Sequence, residues 1–271
     1  QANTTGVQNS AFGSTALYSN TTADNNTAIG FQALYSNTTG TRNVAVGAYA
    51  LDGSSAGNYN VALGYGSLGA NTTHNNVAIG YEAAKGALLN FAPSSEVVAI
   101  GHQAMMSIAG SQLGNTAVGY QAGVSVTTGT QNTLIGYASG DSINTGIDNS
   151  IVGAFAGDAL TTGSQNIAIG REALTTEDTG SASTAVGYLS LRVQNNDALN
   201  HNTAVGYQSG VAVSSGTGNT VLGSFAGHNI STGTNNTIIG FNNGTAASGN
   251  TGSILIGSNG TGAGDNTARF Q

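Results

Sequence analysis

Asn26-Thr27-Ala28-Ile29-Gly30 is one of fifteen copies of a short phrase in this chain, in which a polar residue and three mostly apolar residues precede a glycine. Asn43-Val44-Ala45-Val46-Gly47 and Asn60-Val61-Ala62-Leu63-Gly64 are two further copies. Ten of the fourteen intervals between the closing glycines are 17 residues long. A short fixed period means that one structural unit stacks on copies of itself and buries its apolar face against them. The sequence therefore predicts an all-β fold, a parallel β-solenoid of about 15 coils.

The composition excludes several classes of function. The 271 residues include 42 glycines, no cysteine and only five Lys and Arg, and the net charge is −7. Nucleic acids and anionic membranes attract clustered basic residues, which this chain lacks. No apolar run approaches the roughly 18 residues of a membrane span. We therefore expect no nucleic-acid partner and no membrane insertion.

The residues before each glycine have the pattern of a strand. We count positions from the repeat glycine, which is position 0. Position −1 is aliphatic or Phe in all fifteen copies, position −3 is Thr, Val, Ser or Ile, and position −2 is Ala in ten. The β-branched content and the short length favour a strand. In a strand, −1 and −3 point to one face and −2 points to the other.

Side-chain volume identifies the face that points into the coil. Where −2 is Ala, position +4 is often large, as in Leu34, whereas a large −2 residue such as Leu134 is followed by glycine at +4. Ala117 and Ala204 break this trade-off, because glycine follows them too. Close-packed interiors conserve volume, so −2 and +4 are predicted to share one narrow core.

The −1 residues are then predicted to form an outward apolar column, and an exposed apolar surface of this kind indicates association. We expect the −1 column to be buried between identical chains. The predicted interface residues are Ile29, Val46, Leu63, Ile79, Ile100, Val118, Ile135, Val152, Ile169, Val186, Val205, Leu222, Ile239 and Ile256.

Three other positions repeat. Position −4 is Asn in twelve copies, and stacked Asn side chains predict hydrogen-bonded ladders between coils. Gly40, in the turn phrase Asn37-Thr38-Thr39-Gly40-Thr41, is expected to supply a left-handed turn. Position +1 is often aromatic, as in Tyr65 and Tyr81, which predicts a column rich in tyrosine.

Two intervals are longer than the rest. The interval from Gly80 to Gly101 holds four extra residues and the only proline, and the interval from Gly187 to Gly206 holds two extra residues. Insertions in solenoids map to surface loops, often on the binding face. The candidate surface contacts are Asn90, Phe91, Arg192, Gln194 and Asp197.

The last phrase departs from the pattern. In Asp265-Asn266-Thr267-Ala268-Arg269-Phe270, Arg269 takes the place of the apolar −1 residue and Phe270 takes the place of the glycine. We therefore expect the solenoid array to cover residues 1–259, with 260–271 forming a cap or a link to a following domain. The first residues already belong to a turn phrase, so the chain is expected to be part of a longer protein.

The repeated phrases resemble two kinds of attachment protein. Asn-Thr-Ala-Ile-Gly and Asn-Val-Ala-Ile-Gly, joined by Asn-Thr-Thr-Gly turns, are similar to the head repeats of YadA-like trimeric autotransporter adhesins and to the repetitive shafts of bacteriophage tail fibres. The resemblance covers essentially the whole chain. It implies a left-handed β-roll, a parallel homotrimer, and an extracellular location on a virion tail fibre or a bacterial cell surface. The implied partner is a glycan or protein receptor on a host surface. The 17-residue period is longer than that of the usual adhesin head repeat.

The sequence contains only poor matches to catalytic motifs. Gly53-Ser54-Ser55-Ala56-Gly57 matches the nucleophile elbow, which needs a strand before it and a helix after it; its position on a repeat turn favours a structural role. The four histidines are scattered singly, without metal-ligand spacing. Glu172, Glu177 and Asp178 form the one local carboxylate cluster. A glycosidase pair stays open there, although solvated turn carboxylates are favoured. We expect no enzyme activity, cofactor or metal site.

The leading functional hypothesis is therefore a structural and adhesive fibre segment. Three alternatives stay open: a tailspike depolymerase, an extracellular filament that grows end to end, and an ice-binding solenoid. The last rests on a Thr-x-Thr column, the pattern that ice-binding solenoids use. The column pairs Thr39 with Thr41, Thr128 with Thr130, Thr162 with Ser164, Ser215 with Thr217 and Thr232 with Thr234.

Overall fold

The chain folds as a parallel β-solenoid. The computed structural model describes residues 4–69, 74–86, 96–109, 114–197, 199–262 and 264–270. Within these ranges there is no helix, and the chain makes about 14 solenoid turns. It divides into two compact units, Gln1–Asn132 and Thr133–Gln271. The predicted all-β solenoid is confirmed.

Each coil contributes one short strand to a parallel sheet. The first unit holds β1 (Ser10–Phe12), β2 (Thr27–Ile29), β3 (Val44–Val46), β4 (Val61–Leu63), β5 (Val77–Ile79), β6 (Val98–Ile100) and β7 (Thr116–Val118). The second unit holds β8 (Thr133–Ile135), β9 (Ser150–Val152), β10 (Ile167–Ile169), β11 (Thr184–Val186), β12 (Thr203–Val205), β13 (Thr220–Leu222), β14 (Thr237–Phe241), β15 (Ile254–Ser258) and β16 (Ala268–Phe270). Within each unit, neighbouring strands follow the order of the sequence.

Equivalent repeat positions lie beside each other in neighbouring coils. In the pair β2 and β3, for example, Ala28 is opposite Ala45 and Ile29 is opposite Val46. The alternation of the strands follows the sequence prediction, because from β2 to β15 the −2 residues are buried whereas the −1 and −3 residues are half-buried or exposed. Each repeat position therefore forms a column of side chains along the stacked coils. A column lies either in the interior of the coil or on its outer surface.

The interior contains the predicted −2 and +4 columns. Leu34 and Leu174 at +4 are fully buried, as are the −2 alanines of the strands after β1. Where +4 is glycine, a large −2 side chain fills the space: a Cβ on Gly140 would lie 2.9 Å from Cδ2 of Leu134. The shared core is confirmed.

A third column completes this core. Position +7 is a buried aliphatic residue in several coils that carry glycine at +4, including Val126, Ile143, Leu160, Val213 and Ile230. The two exceptions to the volume trade-off thereby receive an explanation, because Val126 and Val213 occupy the interior of the coils that contain Ala117 and Ala204. Coils with a large +4 residue instead carry mostly polar residues at +7, such as Asn37.

The Asn residues at −4 form the predicted ladder. The Oδ1 atom of Asn43 accepts hydrogen bonds from the backbone N–H (2.9 Å) and from Nδ2 (3.1 Å) of Asn60 in the next coil. Nδ2 of Asn43 also donates to the carbonyl oxygen of Gly57 at 2.7 Å. Both side chains are fully buried. The ladder thus satisfies backbone groups that the three-residue strands leave without a partner in the sheet.

The repeat glycine is required by a close backbone approach. Gly136 has φ +140°, and a Cβ on it would lie 2.5 Å from the carbonyl oxygen of Gly153, the glycine of the next coil. Most of the other repeat glycines meet the next glycine in the same way. The turn glycines have a different cause from the predicted one. Gly40 and Gly163 lie outside the left-handed region, and a Cβ on Gly163 would overlap the backbone carbonyl oxygen of Gly180 in the next coil and also lie 2.7 Å from Cδ2 of Leu160. Lack of space therefore selects glycine at this turn.

Left-handed backbone occurs at other positions of the coil. Residues at −5, +2 and +4 recur with φ near +55°, and many are not glycine, as in Arg42, Gln32 and Leu34. Left-handed residues with a Cβ cost about 1 kcal/mol each and persist where the surroundings over-determine them. Here the N–H of Leu34 is held by the carbonyl of Ala50 in the next coil at 3.0 Å.

The last strand corrects the predicted register. β16 continues the sheet, with Leu255 opposite Arg269 and Ile256 opposite Phe270. Phe270 therefore occupies the −1 column, and Arg269 occupies the interior −2 column. The alignment by glycine spacing was wrong because the last coil is shorter than the 17-residue repeat. The sheet thus extends beyond residue 259; a role of residues 260–271 as a cap or a link stays a prediction.

We expect Gly136→Ala to lower the free energy of unfolding by about 3 kcal/mol or more, because the new Cβ adds both backbone strain and overlap with the next coil. Gly249→Ala is the matched control, since Gly249 is exposed and its Cβ would meet only Thr232 Oγ1 at 3.3 Å. Chemical denaturation followed by circular dichroism measures both. Equal stability of the two variants would contradict the close approach.

We expect Asn43→Ala to lower the free energy of unfolding by about 2–4 kcal/mol, because the Asn60 N–H and the Gly57 carbonyl lose a buried partner. Asn195→Ala, at an exposed position, should change the free energy of unfolding by less than about 0.5 kcal/mol. The same denaturation experiment compares them. A loss no larger than that of the control would show that the ladder contributes little.

Candidate association face

The outward face of the sheet is the most extensive candidate site. All fourteen predicted interface residues lie on it, and none is buried in the single chain. Ile135 is 39% exposed and Leu222 is 46% exposed, whereas the adjacent −2 residues Leu134 and Val221 are buried. The alternation of the strand places these aliphatic side chains outside because the −2 residue is inside. They form one apolar column in each unit.

An aromatic column follows at +1. Tyr81, His102 and Tyr120 stack on one another in successive coils, with ring centroids 5.0 and 5.1 Å apart. Tyr65 extends this stack, and Tyr188 stacks on Tyr207 in the second unit. The predicted tyrosine column is confirmed. His102 was not among its predicted members, although its +1 position would have identified it. The ring faces of these stacked residues contact each other, and the tyrosine side chains remain partly exposed.

The aromatic column widens the outward face where the strand is longer. β14 extends to position +1. Thr237, Ile239 and Phe241 therefore lie on the outward side of this strand, and the residues between them are the buried Ile238 and the glycine Gly240. Phe241 is 52% exposed. At this coil the face therefore carries three side chains side by side, of which two are large and apolar.

The candidate surface contacts have different positions. Arg192 and Asp197 are exposed. Arg192 Nε lies 3.8 Å from Oε2 of Glu172, and Asp197 accepts a 2.6 Å hydrogen bond from Oγ1 of Thr179. Gln194 is fully buried, which corrects its assignment as a surface contact. It occupies the interior +7 position, whereas residues on both sides of it, such as Val193 and Asn195, are exposed. Asn90 and Phe91 lie outside the described residues.

Gln194 belongs to a polar network around a buried carboxylate. Glu177 accepts hydrogen bonds from the Gly180 N–H (2.8 Å), from Nε2 of Gln194 (2.9 Å) and from Nδ2 of Asn200 (2.9 Å). Gln194 also donates to Oγ of Ser183, where the Asn ladder has serine instead of Asn. The network thus replaces the missing amide of the ladder. The Glu177 carboxylate is enclosed, so it cannot reach a polysaccharide from this position.

Two aspartates at +5 provide the strongest electrostatic perturbation. Burial raises the pKa of Asp158 to about 6, and the negative charge of Asp141 in the neighbouring coil adds to the effect. Burial also raises the pKa of Asp141. Oδ1 of Asp158 is buried without a hydrogen-bond partner among the described residues. The ionised pair is therefore a local source of instability at neutral pH.

Other chemistry-bearing residues have structural positions. Ser54 is buried within a turn, where its Oγ accepts a hydrogen bond from Gly57 N–H, and the segment lacks the helix of a nucleophile elbow. Nδ1 of His74 accepts the backbone N–H of Asn58 at 2.8 Å. The described part of the chain contains no group of three or more His, Asp or Glu side chains that could hold a metal ion. It also contains no helix with the length and apolar character needed to cross a membrane.

The Thr-x-Thr column lies on turns. Thr39 and Thr41 flank Gly40, and the N–H groups of Thr38 and Thr39 share one acceptor, the carbonyl of Ser55. Thr39, Gly40 and Thr41 all lie outside the strands. The regular spacing of a flat strand face is instead found at −1 and −3.

No protein-family model matches the chain, and no curated protein is significantly similar to it.

We expect Asp158→Asn to raise the free energy of unfolding by about 1 kcal/mol at pH 7.5. This is less than the full pKa shift would give, because water screens the charge of a partly exposed side chain. A pKa raised above that of the unfolded chain means that the folded state binds the proton more tightly. The contribution of protonated Asp158 to the free energy of unfolding of the wild type is therefore present at acid pH and is lost as the pH rises through about 6. The advantage of the variant should disappear near pH 4, as measured by thermal unfolding.

Asp265→Asn provides a control of opposite sign. Hydrogen bonds from the Thr251 N–H and from Asn250 lower the pKa of Asp265. The variant should be less stable than the wild type at neutral pH, and the difference should vanish in acid. The same sign for both variants would contradict the assignment.

Proposed function

We propose that this chain is a segment of an extracellular fibre, a parallel homotrimer that mediates attachment to a host cell or surface. The observation that carries the proposal is the half-exposed −1 column, which repeats in register within each unit. Apolar surfaces of this extent mark sites of association.

Association is supported by the energetics of the column. Covering the exposed half of an aliphatic side chain contributes about 1 kcal/mol. Fourteen such residues together are able to offset the loss of freedom on assembly. The column contains no charged residue before Phe270, so identical chains can approach along it without burying an unpaired charge. Equivalent chains also present the same column, as symmetric assembly requires.

Attachment is supported by the sequence resemblance and by the polar surface. The phrases that resemble YadA-like adhesins and phage tail-fibre shafts correspond to the coils of the solenoid. The left-handed β-roll and the location on a virion or a bacterial surface belong to the same proposal. Arg192 and Asp197 are the described candidates for receptor contact, since both are exposed on the longer coil.

The alternatives have less support from the geometry. A depolymerase needs accessible paired carboxylates, but Glu177 is enclosed and Glu172 is engaged by Arg171 at 2.8 Å. Ice binding through Thr39 and Thr41 would need a regular strand, and these residues lie on a turn. Release of reducing sugar from capsular polysaccharide and thermal hysteresis are the measurements that would favour these alternatives.

We expect Ile135→Asp to dissociate the trimer, because burying an unpaired carboxylate in each interface costs several kcal/mol, on the order of 3 or more per chain. Multi-angle light scattering of the 271-residue chain measures the mass. The wild type should have three times the mass of one chain, 26.7 kDa, and the variant should be smaller.

Ile147→Asp is the matched control. Ile147 has the same chemistry and the same exposure, 40% against 39%, but lies on a turn rather than on the face. It should leave the mass unchanged. A monomeric wild type, or an Ile135→Asp variant that stays fully assembled, would exclude this face as the interface.

Attachment is tested separately from assembly. Labelled wild-type chain should bind to whole bacterial cells or to immobilised surface polysaccharides, and Arg192→Ala combined with Asp197→Ala should weaken this binding without changing the mass. Unchanged binding would remove these two residues from the receptor site.

A further inference from the structure

Tyrosines of neighbouring coils stack face to face in both units. In the second unit, the ring centroids of Tyr188 and Tyr207 are 5.3 Å apart and the ring planes are inclined by 18°. Tyr65 and Tyr81 have the same arrangement in the first unit, with centroids 5.5 Å apart and planes inclined by 11°. Each pair therefore holds two phenol rings of one chain in contact.

The backbone fixes the position of Tyr207 over Tyr188. On one side of Tyr207, the N–H of Gly206 donates a 2.8 Å hydrogen bond to the carbonyl oxygen of Val186. On the other side, the N–H of Gln208 donates a 2.8 Å hydrogen bond to the carbonyl oxygen of Tyr188. The side chains are nevertheless accessible, since Tyr188 is 37% exposed and Tyr207 is 46% exposed. The two rings are thus held together and are open to small molecules.

Stacked phenols can be joined by oxidation. A one-electron oxidant removes one electron and the hydroxyl proton from each ring, which leaves two phenoxyl radicals. The unpaired electron of each radical is shared with the Cε carbons beside the oxygen, and two such carbons form a new carbon–carbon bond. The hydrogen atom on each of these carbons then moves to its oxygen and restores the phenol. The chain loses two hydrogen atoms in all, and one hydrogen peroxide that accepts them becomes two waters.

We propose that Tyr188 and Tyr207 are a site of dityrosine formation, at which a peroxidase-type oxidant joins one coil covalently to the next. Reacting groups that are already held in contact need no encounter by diffusion, which favours their coupling over coupling between chains. A cross-link between coils also restricts the unfolded chain and so stabilises the fold. The inference is independent of the proposed fibre, because both rings belong to one chain.

The second ring neighbour of Tyr207 does not compete for the reaction. Phe225 lies on the other side of Tyr207, with ring centroids 5.2 Å apart and planes inclined by 67°. Phenylalanine has no hydroxyl group and therefore forms no phenoxyl radical. Of the two rings that contact Tyr207 in the described part of the chain, only Tyr188 can couple with it.

Tryptic digestion makes this cross-link identifiable. Cleavage after Arg171, Arg192 and Arg269 releases the peptides 172–192 and 193–269, and each contains a single tyrosine, Tyr188 in the first and Tyr207 in the second. The dilute 271-residue chain is treated with a haem peroxidase and hydrogen peroxide, under conditions that couple free tyrosine. We expect mass spectrometry to find the two peptides joined, with two hydrogen atoms fewer than their sum. A denaturing gel should show the oxidised protein at the mass of one chain.

Two variants define the site. Tyr207→Phe keeps the ring but cannot form the radical, so the joined peptides should disappear. Tyr59→Phe is the matched control: Tyr59 is also exposed, but its hydroxyl accepts a 2.8 Å hydrogen bond from Nη1 of Arg42. This variant should give the wild-type yield of joined peptides. Circular dichroism before oxidation shows that both variants keep the fold. After oxidation, the wild type should unfold at a higher denaturant concentration than Tyr207→Phe.

Each outcome decides the proposal. Joined peptides from a single chain that Tyr207→Phe abolishes and Tyr59→Phe retains support it. Peptides that stay separate, joined peptides that come only from cross-linked chains, or joined peptides that persist in Tyr207→Phe would each overturn it. A monomeric wild type would contradict the proposed trimer and leave the cross-link unaffected, so the two proposals fail separately.

Discussion

The close stacking of backbone on backbone is the constraint on which this fold depends. Hydrogen bonds between parallel strands set the distance between coils, and at the repeat glycine this distance leaves no room for a Cβ. Once the glycines are aligned, every other position must align as well, since side chains alternate across each short strand. Columns inside and outside the coil are therefore consequences of one spacing. The same spacing brings each Asn at −4 within reach of its neighbour and completes the buried hydrogen bonds.

This constraint separates stability from recognition. The interior columns and the Asn ladder hold each coil to the next, whereas the −1 and +1 columns take no part in closing the core. The outward face is therefore free to change in chemistry from coil to coil, as it does where the −3 residue is valine in some coils and threonine in others, or where His102 replaces tyrosine at +1. Strained left-handed residues such as Leu34 are tolerated because a hydrogen bond to the next coil holds their backbone in place.

Much of this organisation could be predicted from the sequence because the period exposes it directly. Volume exchange between Leu134 and Gly140 identified the interior, and the apolar −1 residues identified the outward face. The predicted positions of two residues, Gln194 and Phe270, were wrong, because both lie in coils whose length differs from 17 residues. Gln194 lies in a lengthened coil, but it is the +7 residue of that coil and turns inward to Glu177. Phe270 was aligned with glycine, although its apolar side chain matches the column of Ile256. Glycine at 163 is required mainly by the close approach of the Gly180 backbone in the next coil, and not by the left-handed conformation that the turn phrase predicted.

The small side chains of the interior have a thermodynamic consequence. Alanine at −2 and buried asparagine at −4 mean that unfolding exposes little apolar surface for each residue and much amide surface. Apolar exposure raises the heat capacity of unfolding and polar exposure lowers it. The heat capacity change of this chain should therefore be small for its length. The curve of its stability against temperature should then be flatter than that of a domain held together by a large hydrophobic core, and cold denaturation should lie at a lower temperature.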